Sequence, residues 1–523
     1  MKRIVMIAAA LALVLPALPA LAGNAKKADT DAARLAQPME STTRGSVTVE
    51  GHRISYDAVA GTIILRNKKD QPTESMFYVA YMKRGVRNSA ERPVTFFYNG
   101  GPGSSSVWLH MGAFGPERVV TADHTHTANA PYHLVNNDYS LLDATDMVFI
   151  DAPSTGFSRH IPKKDGGAGK PSMYWGVDED GHAFAQFITR FLTKFNRWNS
   201  PKYLFGESYG TMRSAVLARY LEMQDNVDLN GVVLLSQTLN YDISNADDPQ
   251  HNPGMELSYE LTLPTFAATA WYHHKLPNQP KDLQAFLKKV EHFALHGYAD
   301  ALNAGTDLTA QQEQQVAEQL HQYTGLPAAY WVKANLRVNG GEFEKNLLAG
   351  SDESTGRLDT RFAGPTMDPL SQEAQYDPQA AAISSAYVSG FNSYVRNVLH
   401  FKPGYMQYKP EIPLWGSKWD WQHQPSNADR PLPMAPNVMP DLAAAMKYNP
   451  KLKVQLEAGY FDLATPFYAA VYAMKHLQIP RGLASNISYH FYKSGHMVYV
   501  HVPSLKRIHD NVSAFIHSTD NAH

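Results

Sequence analysis

Cysteine is absent from all 523 residues of this sequence. Disulfides, thiolate metal sites, iron–sulfur clusters and a cysteine nucleophile are therefore excluded. A folded chain of this length must be held together by its hydrophobic core alone, and 44% apolar residues suffice to build one. Any covalent catalyst in this chain must use another nucleophile.

An excess of charge of one sign is also lacking, because 47 lysines and arginines nearly balance 49 aspartates and glutamates. No strong net field then exists to attract nucleic acid or an anionic membrane surface. We predict neither as a partner, and neutral or mixed ligands fit the composition better.

Long apolar runs are lacking too, apart from one at Ile4–Leu18. Lys2-Arg3 precedes this run and Ala20-Leu21-Ala22 follows it, which is the pattern of a signal peptide with its cleavage site. An uncleaved anchor is the alternative, but two prolines and the short length disfavour it. We predict a signal peptide over 1–22 and an exported protein, periplasmic or secreted, that is free of the membrane after cleavage.

The remainder of the chain divides into segments of different composition. Residues 23–44 are small, polar and charged, which predicts a flexible lead-in. We assign 45–240 and 445–523 to one α/β body. Between them, 241–444 shows amphipathic helical patterns and irregular loops, which predict an inserted, mainly helical cap and its connector.

Apolar runs in the body are nearly continuous, as in strands that are buried on both faces of a sheet. These runs are Val94–Tyr98, Met147–Ile150, Tyr203–Phe205 and Val232–Leu235. Lys453–Ala458 and Ile487–Tyr492 are predicted as two further strands. The aromatic residues of Asp178–Phe195 recur at helical spacing, which predicts a helix that covers the sheet. With β-prone runs between Gly45 and Tyr81 as antiparallel strands, the predicted fold class is α/β with a central, mostly parallel sheet.

Gly206-Glu207-Ser208-Tyr209-Gly210 matches G-x-S-x-G, the nucleophile elbow of the α/β-hydrolase fold. The glycines permit a strained turn that lifts the serine hydroxyl clear of the sheet. A strand-like run precedes the pentapeptide and a helical pattern follows it, as the elbow requires, whereas an ordinary tight turn is the alternative. We therefore predict Ser208 as a nucleophile in an α/β-hydrolase fold.

A serine hydroxyl needs a base, and the base needs an acid that fixes its tautomer. In this fold the chain order is serine, acid, histidine. Asp462 and His496 each follow one of the two strand-like runs near the C-terminus, so both are expected where ligands meet the sheet. We predict His496 as general base and Asp462 as the acid that orients it. A structural histidine and a capping aspartate are the alternatives.

A glycine-rich turn after Val94–Tyr98 can offer backbone N–H groups to an oxyanion. This turn, Asn99–Ser106, together with Gly206–Gly210, Asp462 and Ser494–Met497, resembles the serine carboxypeptidase family, peptidase family S10, and a bacterial exported member of it. The resemblance implies that the three residues just named as nucleophile, acid and base form a catalytic triad.

The same resemblance implies a binding role for four other residues. The backbone N–H groups of Gly101 and Tyr209 would form the oxyanion hole, and Asn99 and Glu207 would bind the terminal carboxylate of a peptide. A carboxyl beside a partly buried nucleophile can stay protonated and donate a hydrogen bond to another carboxylate. A hydrogen-bonded strut of the elbow is the alternative role of Glu207.

Two departures from the family pattern stand out. Family members usually carry cysteine at the position of Ser104, so another framework must replace their disulfides. The second carboxylate-binding glutamate, expected just before the Gly-Pro of Ala113–Pro116, is Ala113. His110 offers a cationic substitute, although packing against Trp108 is the alternative.

The predicted activity is release of C-terminal residues from peptides through an acyl-enzyme on Ser208. An esterase or acyltransferase on the same fold is the first alternative. A catalytically inactive protein with an aromatic cleft at Trp415, Trp419 and Trp421 is the second. No H-E-x-x-H motif is present, and we predict neither a metal nor another cofactor.

Overall fold

The computed structural model describes residues 35–244, 246, 253–414, 418–433 and 435–521. The predicted signal peptide over 1–22 and Trp415 lie outside the described residues.

The strands of the described residues are numbered in chain order. They are β1 (Glu40–Val49), β2 (His52–Arg66), β3 (Pro72–Lys83), β4 (Val94–Tyr98), β5 (Glu117–Val119), β6 (Leu134–Asn136), β7 (Asp146–Ile150), β8 (Arg159–His160), β9 (Lys202–Glu207), β10 (Gly231–Leu235), β11 (Glu353–Thr355), β12 (Ala363–Pro365), β13 (Lys453–Gly459) and β14 (Ile487–Tyr492).

One sheet has the strand order β1-β2-β3-β7-β4-β9-β10-β13-β14, and β8 pairs with β3 at its side. The strands from β1 to β7 in this order pair antiparallel, whereas all pairs from β7 to β14 are parallel. The predicted mostly parallel sheet with antiparallel strands at its start is therefore confirmed.

The α-helices are numbered in the same way. They are α1 (Val177–Lys194), α2 (Tyr209–Met223), α3 (Tyr241–Ser244), α4 (Leu257–Tyr272), α5 (Leu283–Phe293), α6 (Ala299–Ala304), α7 (Ala310–Thr324), α8 (Ala328–Lys333), α9 (Gly340–Leu347), α10 (Pro378–Asn397), α11 (Met439–Tyr448), α12 (Phe467–Lys475) and α13 (Val502–Thr519). A π-helix spans Leu109–Phe114, and a second one spans Ala294–Tyr298 directly after α5.

Side chains of the central strands alternate between two cores, one on each face of the sheet. In β4, Phe96 and Tyr98 belong to the core under α1, α2, α11 and α12, while Phe97 belongs to the core under α10 and α13. Since successive side chains of a strand point to opposite faces, a strand covered on both sides must be apolar throughout. This explains the continuous apolar runs of the sequence.

The cap has a core of its own, formed by α4 to α9. Tyr460, Phe461 and Leu463, which follow β13, are part of this core. Their packing fixes the loop that carries Asp462, so the cap helps to place a residue of the candidate site.

Two predicted boundaries need correction. β1 begins at Glu40, so the C-terminal part of the predicted lead-in over 23–44 belongs to the sheet, whose first strand pairs along its whole length with β2. α11 packs against α2 of the body, so the predicted boundary between 444 and 445 cuts through a helix that covers the sheet. No helix in the described part of the chain is long and apolar enough to cross a bilayer.

Candidate active site

Ser208 occupies a sharp turn between β9 and α2. Its φ of 61° and ψ of −131° lie in a region that residues with a side chain rarely adopt. The Ser208 N–H donates to the carbonyl of Leu235 at 2.9 Å, and a Cβ on Gly206 would lie 2.2 Å from the carbonyl oxygen of Gly210. The turn is thus held by backbone contacts that require glycine, and Ser208 remains partly exposed.

His496 and Asp462 meet at the carboxyl edge of the sheet, after β14 and β13. Nδ1 of His496 lies 2.8 Å from Oδ2 of Asp462, and both side chains are buried. The hydroxyl and the N–H of Thr465 donate to the same carboxylate at 2.6 Å and 2.9 Å. With Nδ1–H directed at Asp462, the neutral imidazole presents Nε2 as a proton acceptor.

The charges around His496 favour its protonated form. Burial lowers the pKa of His496, but the attraction and hydrogen bond of Asp462 and the charge of Glu207 outweigh it, and the net shift is upward. The Ser236 hydroxyl donates to the His496 carbonyl at 2.7 Å, and the His496 N–H donates to the Leu358 carbonyl at 2.6 Å. The ring is therefore held both at its backbone and at Nδ1.

Ser208 and His496 line one cavity of about 1620 Å³. Among the described residues, the Ser208 hydroxyl makes no side-chain hydrogen bond, with His496 or any other group. Catalytic contacts of this kind often close only when a substrate is bound. The structure brings the predicted nucleophile and base to one cavity without joining them.

The glycine-rich turn lies directly against the elbow. A Cβ on Gly100 would lie 2.4 Å from the nitrogen of Tyr209 and 2.8 Å from the carbonyl oxygen of Glu207, so glycine alone permits this approach. Gly101 has a φ of 105°, and no acceptor within the described residues takes its N–H or that of Tyr209. Tyr209 begins α2, where N–H groups have no partner inside the helix. The two N–H groups are thus available to an oxyanion.

A segment around residue 411 holds the glycine-rich turn near Ser104, the position at which the family pattern has cysteine. The Ser105 N–H donates to the Pro410 carbonyl at 2.8 Å, and the Ile412 N–H donates to the Gly103 carbonyl at 2.9 Å. The Ser104 hydroxyl accepts a hydrogen bond from Nε1 of Trp108 at 2.9 Å. Backbone pairing with the segment around residue 411 therefore supplies the framework at this point.

Glu207 lies within the elbow and Asn99 begins the glycine-rich turn, and both line the cavity. Burial raises the pKa of Glu207 to about 7, against the opposing effects of His496, Tyr499 and Asn99. The Tyr499 hydroxyl donates to Oε2 of Glu207 at 2.9 Å. Oδ1 of Asn99 accepts the Leu109 N–H at 3.2 Å, which leaves its amide N–H₂ for the Glu207 carboxyl.

Tyr499 is a site residue that the sequence interpretation missed. It follows His496 by three positions, so its place after the same strand was the only signal in the sequence. Several cavity-lining side chains of the cap and connector were missed for the same reason, since nothing local marks them. They are Arg357, Asp377, Gln379, Ile383 and Glu411.

The suggested role of His110 as a cationic substitute is wrong. Its ring is buried and stacks on Phe149 at 4.4 Å between centroids, and Nε2 lies 2.7 Å from the Tyr81 hydroxyl. Burial lowers its pKa to about 3, so the ring is neutral at physiological pH. Its packing partner is Phe149 rather than Trp108, and it does not line the cavity.

The aromatic residues of the connector are divided between core and cavity. Trp419 is buried and meets the ring of Tyr209 edge to face at 5.5 Å, whereas Trp421 lines the cavity. Trp419 therefore packs against the elbow through Tyr209. Of this pair, only Trp421 is placed to contact a ligand in the cavity.

One group of three metal-ligating side chains occurs within the described residues, at Glu50, His509 and Asp510. Nζ of Lys506 lies 3.0 Å from Glu50 and 2.9 Å from Asp510, so a cation already bridges these carboxylates. The group lies outside the cavity and has no part in the candidate site.

Comparison with known proteins identifies relatives among the serine carboxypeptidases. The model of the serine carboxypeptidase family, Peptidase_S10, matches residues 58–484, which include Ser208 and Asp462 and end before His496. The pheromone-processing carboxypeptidase KEX1 of Cryptococcus gattii is 27% identical over 227 residues, 40% of this chain and 31% of that protein. Serine carboxypeptidase-like 36 of Arabidopsis thaliana is 26% identical over 172 residues, 32% of this chain and 33% of that protein. The chain thus spans about a third of the length of these curated relatives.

A solved structure shows the same architecture. The prohormone-processing carboxypeptidase KEX1(delta)p from Saccharomyces cerevisiae aligns with a TM-score of 0.53 at 15% identity and covers 88% of this chain and 92% of its own. With the sheet order described above, this likeness shows an α/β-hydrolase fold. Since the family model matches most of its residues, the chain belongs to the serine carboxypeptidase family.

Proposed function

We propose that the protein is a serine carboxypeptidase that removes C-terminal residues from peptides through an acyl-enzyme on Ser208. The observation that carries this proposal is the 2.8 Å contact between His496 and Asp462 at a cavity that Ser208 also lines. Glu207, with its raised pKa, lies at the same cavity and supplies a means of recognising a terminal carboxyl group.

The proposed reaction begins when the Ser208 oxygen attacks the scissile carbonyl carbon and its proton passes to Nε2 of His496. Asp462 stabilises the resulting imidazolium, and the N–H groups of Gly101 and Tyr209 bind the oxyanion. The C–N bond then breaks as Nε2 returns the proton to the leaving amine, which departs as the C-terminal residue. Water hydrolyses the remaining ester with the same histidine as base.

Carboxylate recognition would use Glu207 in its protonated form. A protonated carboxyl donates a hydrogen bond to the terminal carboxylate of the peptide, whereas an ionised one repels it. Asn99, whose amide N–H₂ bonds the Glu207 carboxyl, lines the same cavity beside it. Both residues are buried, so these hydrogen bonds would form away from bulk water.

A comparison of three substrates tests the function. We expect a blocked dipeptide with a free C-terminal carboxyl to be hydrolysed with a kcat/KM about 10- to 100-fold higher than its C-terminal amide, because a neutral amide accepts a weaker hydrogen bond from protonated Glu207 than a carboxylate does. Steady-state rates for the acid, the amide and the methyl ester, on the purified protein, measure this ratio. Equal turnover of all three would contradict carboxylate recognition.

The pH profile provides a second prediction. His496 must be neutral to act as base, and since its pKa is raised, activity falls as the pH drops below that value. Glu207 must be protonated, and with a pKa of about 7 its contribution is lost as the pH rises through neutrality. We therefore expect a narrow bell in kcat/KM around neutral pH for free-carboxylate peptides.

Glu207→Gln keeps a hydrogen-bond donor at this place without a titratable group. The variant should show a flattened alkaline limb for peptides, and an acid limb that persists but lies at lower pH, because the charge of Glu207 no longer raises the pKa of His496. We would measure rates between about pH 5 and pH 9 for the peptide acid and for its ester. The ester has no carboxylate, so its profile reports the acid limb without the contribution of carboxylate binding. An alkaline limb that persists in Glu207→Gln would remove Glu207 from carboxylate recognition.

An esterase or acyltransferase is the second candidate function, and Ala113 is the observation that favours it, since the second carboxyl of the family pattern is missing. The substrate comparison above decides between the two. We further propose that the protein is a bacterial one, exported to the periplasm or secreted, on the pattern of residues 1–22.

A further inference from the structure

Ala113 stands where the family pattern has a second carboxylate-binding glutamate, and the structure shows which side chains pack around this position. Ala113 lies fully buried in the π-helix Leu109–Phe114. A Cβ on its neighbour Gly112 would lie 2.4 Å from the hydroxyl oxygen of Tyr387 and 2.8 Å from Cε2 of Tyr499. The rings of Tyr387 and Tyr499 therefore pack against the backbone of Gly112, next to Ala113.

Only one of these phenols reaches Glu207. The Tyr499 hydroxyl lies 2.9 Å from Oε2 and 3.3 Å from Oε1 of Glu207, while Tyr387 makes no hydrogen bond to that carboxyl. Tyr499 belongs to the short 3-10 helix Val498–Val500, which begins two residues after His496, and is 2% exposed. The backbone that places the proposed base thus also places the phenol on Glu207.

We propose that Tyr499 is a positioning residue that does the work of the missing second carboxyl: its hydroxyl holds Glu207 in place and leaves the other side of that carboxyl to the substrate's terminal carboxylate. This role rests on the proposed function. It concerns a chain in which alanine stands at 113, where the family pattern has a second carboxylate-binding glutamate.

A phenol suits this place for an electrostatic reason. The groups that face Glu207 are His496, Tyr499, Asp462, Asn99 and Tyr387. Burial and the Glu207 charge raise the pKa of Tyr499 well above its usual value, so it remains a donor at every pH at which the site works. Its hydrogen bond is stronger to an ionised carboxyl than to a protonated one, so it lowers the pKa of Glu207 from the value that burial alone would give.

Tyr499→Phe removes this hydroxyl and keeps the ring that packs on Gly112. We expect the alkaline limb of kcat/KM for a blocked dipeptide acid to move up by about one pH unit, because Glu207 loses a donor to its charged form. The KM for the same substrate should rise about tenfold with little change in kcat, since the carboxyl is no longer held. Ester hydrolysis should change less than hydrolysis of the dipeptide acid, since the ester has no carboxylate for Glu207 to bind.

The matched control is Tyr387→Phe, which removes a neighbouring phenol hydroxyl that makes no hydrogen bond to Glu207. It should leave the limb in place. Carbon NMR of protein labelled at glutamate side-chain carboxyls, with Glu207→Gln to assign the signal, gives the pKa of Glu207 without any substrate. The titration should shift upward in Tyr499→Phe alone.

The possible failures are distinguishable. If the wild-type protein prefers the acid over the amide but neither its alkaline limb nor the Glu207 titration moves in Tyr499→Phe, the role of Tyr499 is overturned and the proposed function stands. If the wild-type protein hydrolyses acid and amide equally, the carboxypeptidase function falls and the role of Tyr499 falls with it.

Discussion

We expect Ser208→Ala to lower kcat for peptide hydrolysis by about four orders of magnitude or more, because no other group in the turn can form the acyl-enzyme. The backbone contacts of the turn use the N–H of residue 208 and the glycines around it, so the variant should fold normally. Steady-state kinetics and far-ultraviolet circular dichroism measure the two effects.

The chain contains its own control for this experiment. Ser154 has its hydroxyl 2.7 Å from Nε2 of His160, whose Nδ1 lies 2.5 Å from Glu74, in the manner of a triad. Ser154 and His160 do not line the cavity, and Ser154 is buried. Ser154→Ala should therefore keep full activity, and a fluorophosphonate should label Ser208 only.

Three results would contradict the assignment of the nucleophile. They are activity that survives in Ser208→Ala, labelling that moves to Ser154, and loss of activity in Ser154→Ala with an intact fold. Failure of the wild-type protein to label at all would favour the inactive binding protein.

Asp462→Asn should lower kcat by about four orders of magnitude while barely changing the fold. The Thr465 N–H donates to Oδ1 of Asp462, so the asparagine would keep its oxygen there and turn its N–H₂ group toward Nδ1 of His496. The imidazole must then accept at Nδ1 and carry its proton on Nε2, the nitrogen that has to take the serine proton. The base would be present in the wrong tautomer.

The acid limb of the pH profile reports on the same change. Asp462 raises the pKa of His496, so its replacement should move that limb to lower pH in the residual activity. Asp143→Asn is the matched control, since Asp143 pairs with His509 at 3.2 Å away from the cavity. Asp462→Asn with near-normal kcat would show that His496 acts without an orienting acid.

Much of the body was predictable because its sequence patterns have local causes. A strand buried on both faces must be apolar at every position, and Val94–Tyr98 coincides with β4, which is buried throughout. Ile487–Tyr492 coincides with β14, a partly exposed strand at the edge of the sheet. The elbow needs glycine beside the nucleophile for steric reasons, which made Ser208 visible in one pentapeptide. Asp462 and His496 followed from the positions of strand ends, and their contact from the parallel pairing of β13 with β14.

The rest depends on contacts between segments that are remote in the chain. His110 is buried against the rings of Phe149 and Tyr81, and this burial lowers its pKa. The histidine that the sequence suggested as a cation is therefore neutral in the fold. Tyr499 gained its importance from Glu207, nearly three hundred positions earlier. These contacts join residues that are remote in the chain, so neither one leaves a periodic or local pattern in the sequence.

The pairing of the glycine-rich turn with the segment around residue 411 bears on where such an enzyme can work. Peptide hydrogen bonds, unlike sulfur–sulfur bonds, are indifferent to glutathione, thiol reductants and oxidants. The turn can therefore assemble during folding without a thiol oxidase or a disulfide isomerase. We expect its weakness to be local opening: a segment held by a few such bonds should detach at a lower temperature than the sheet melts, and hydrolysis should stop at that point.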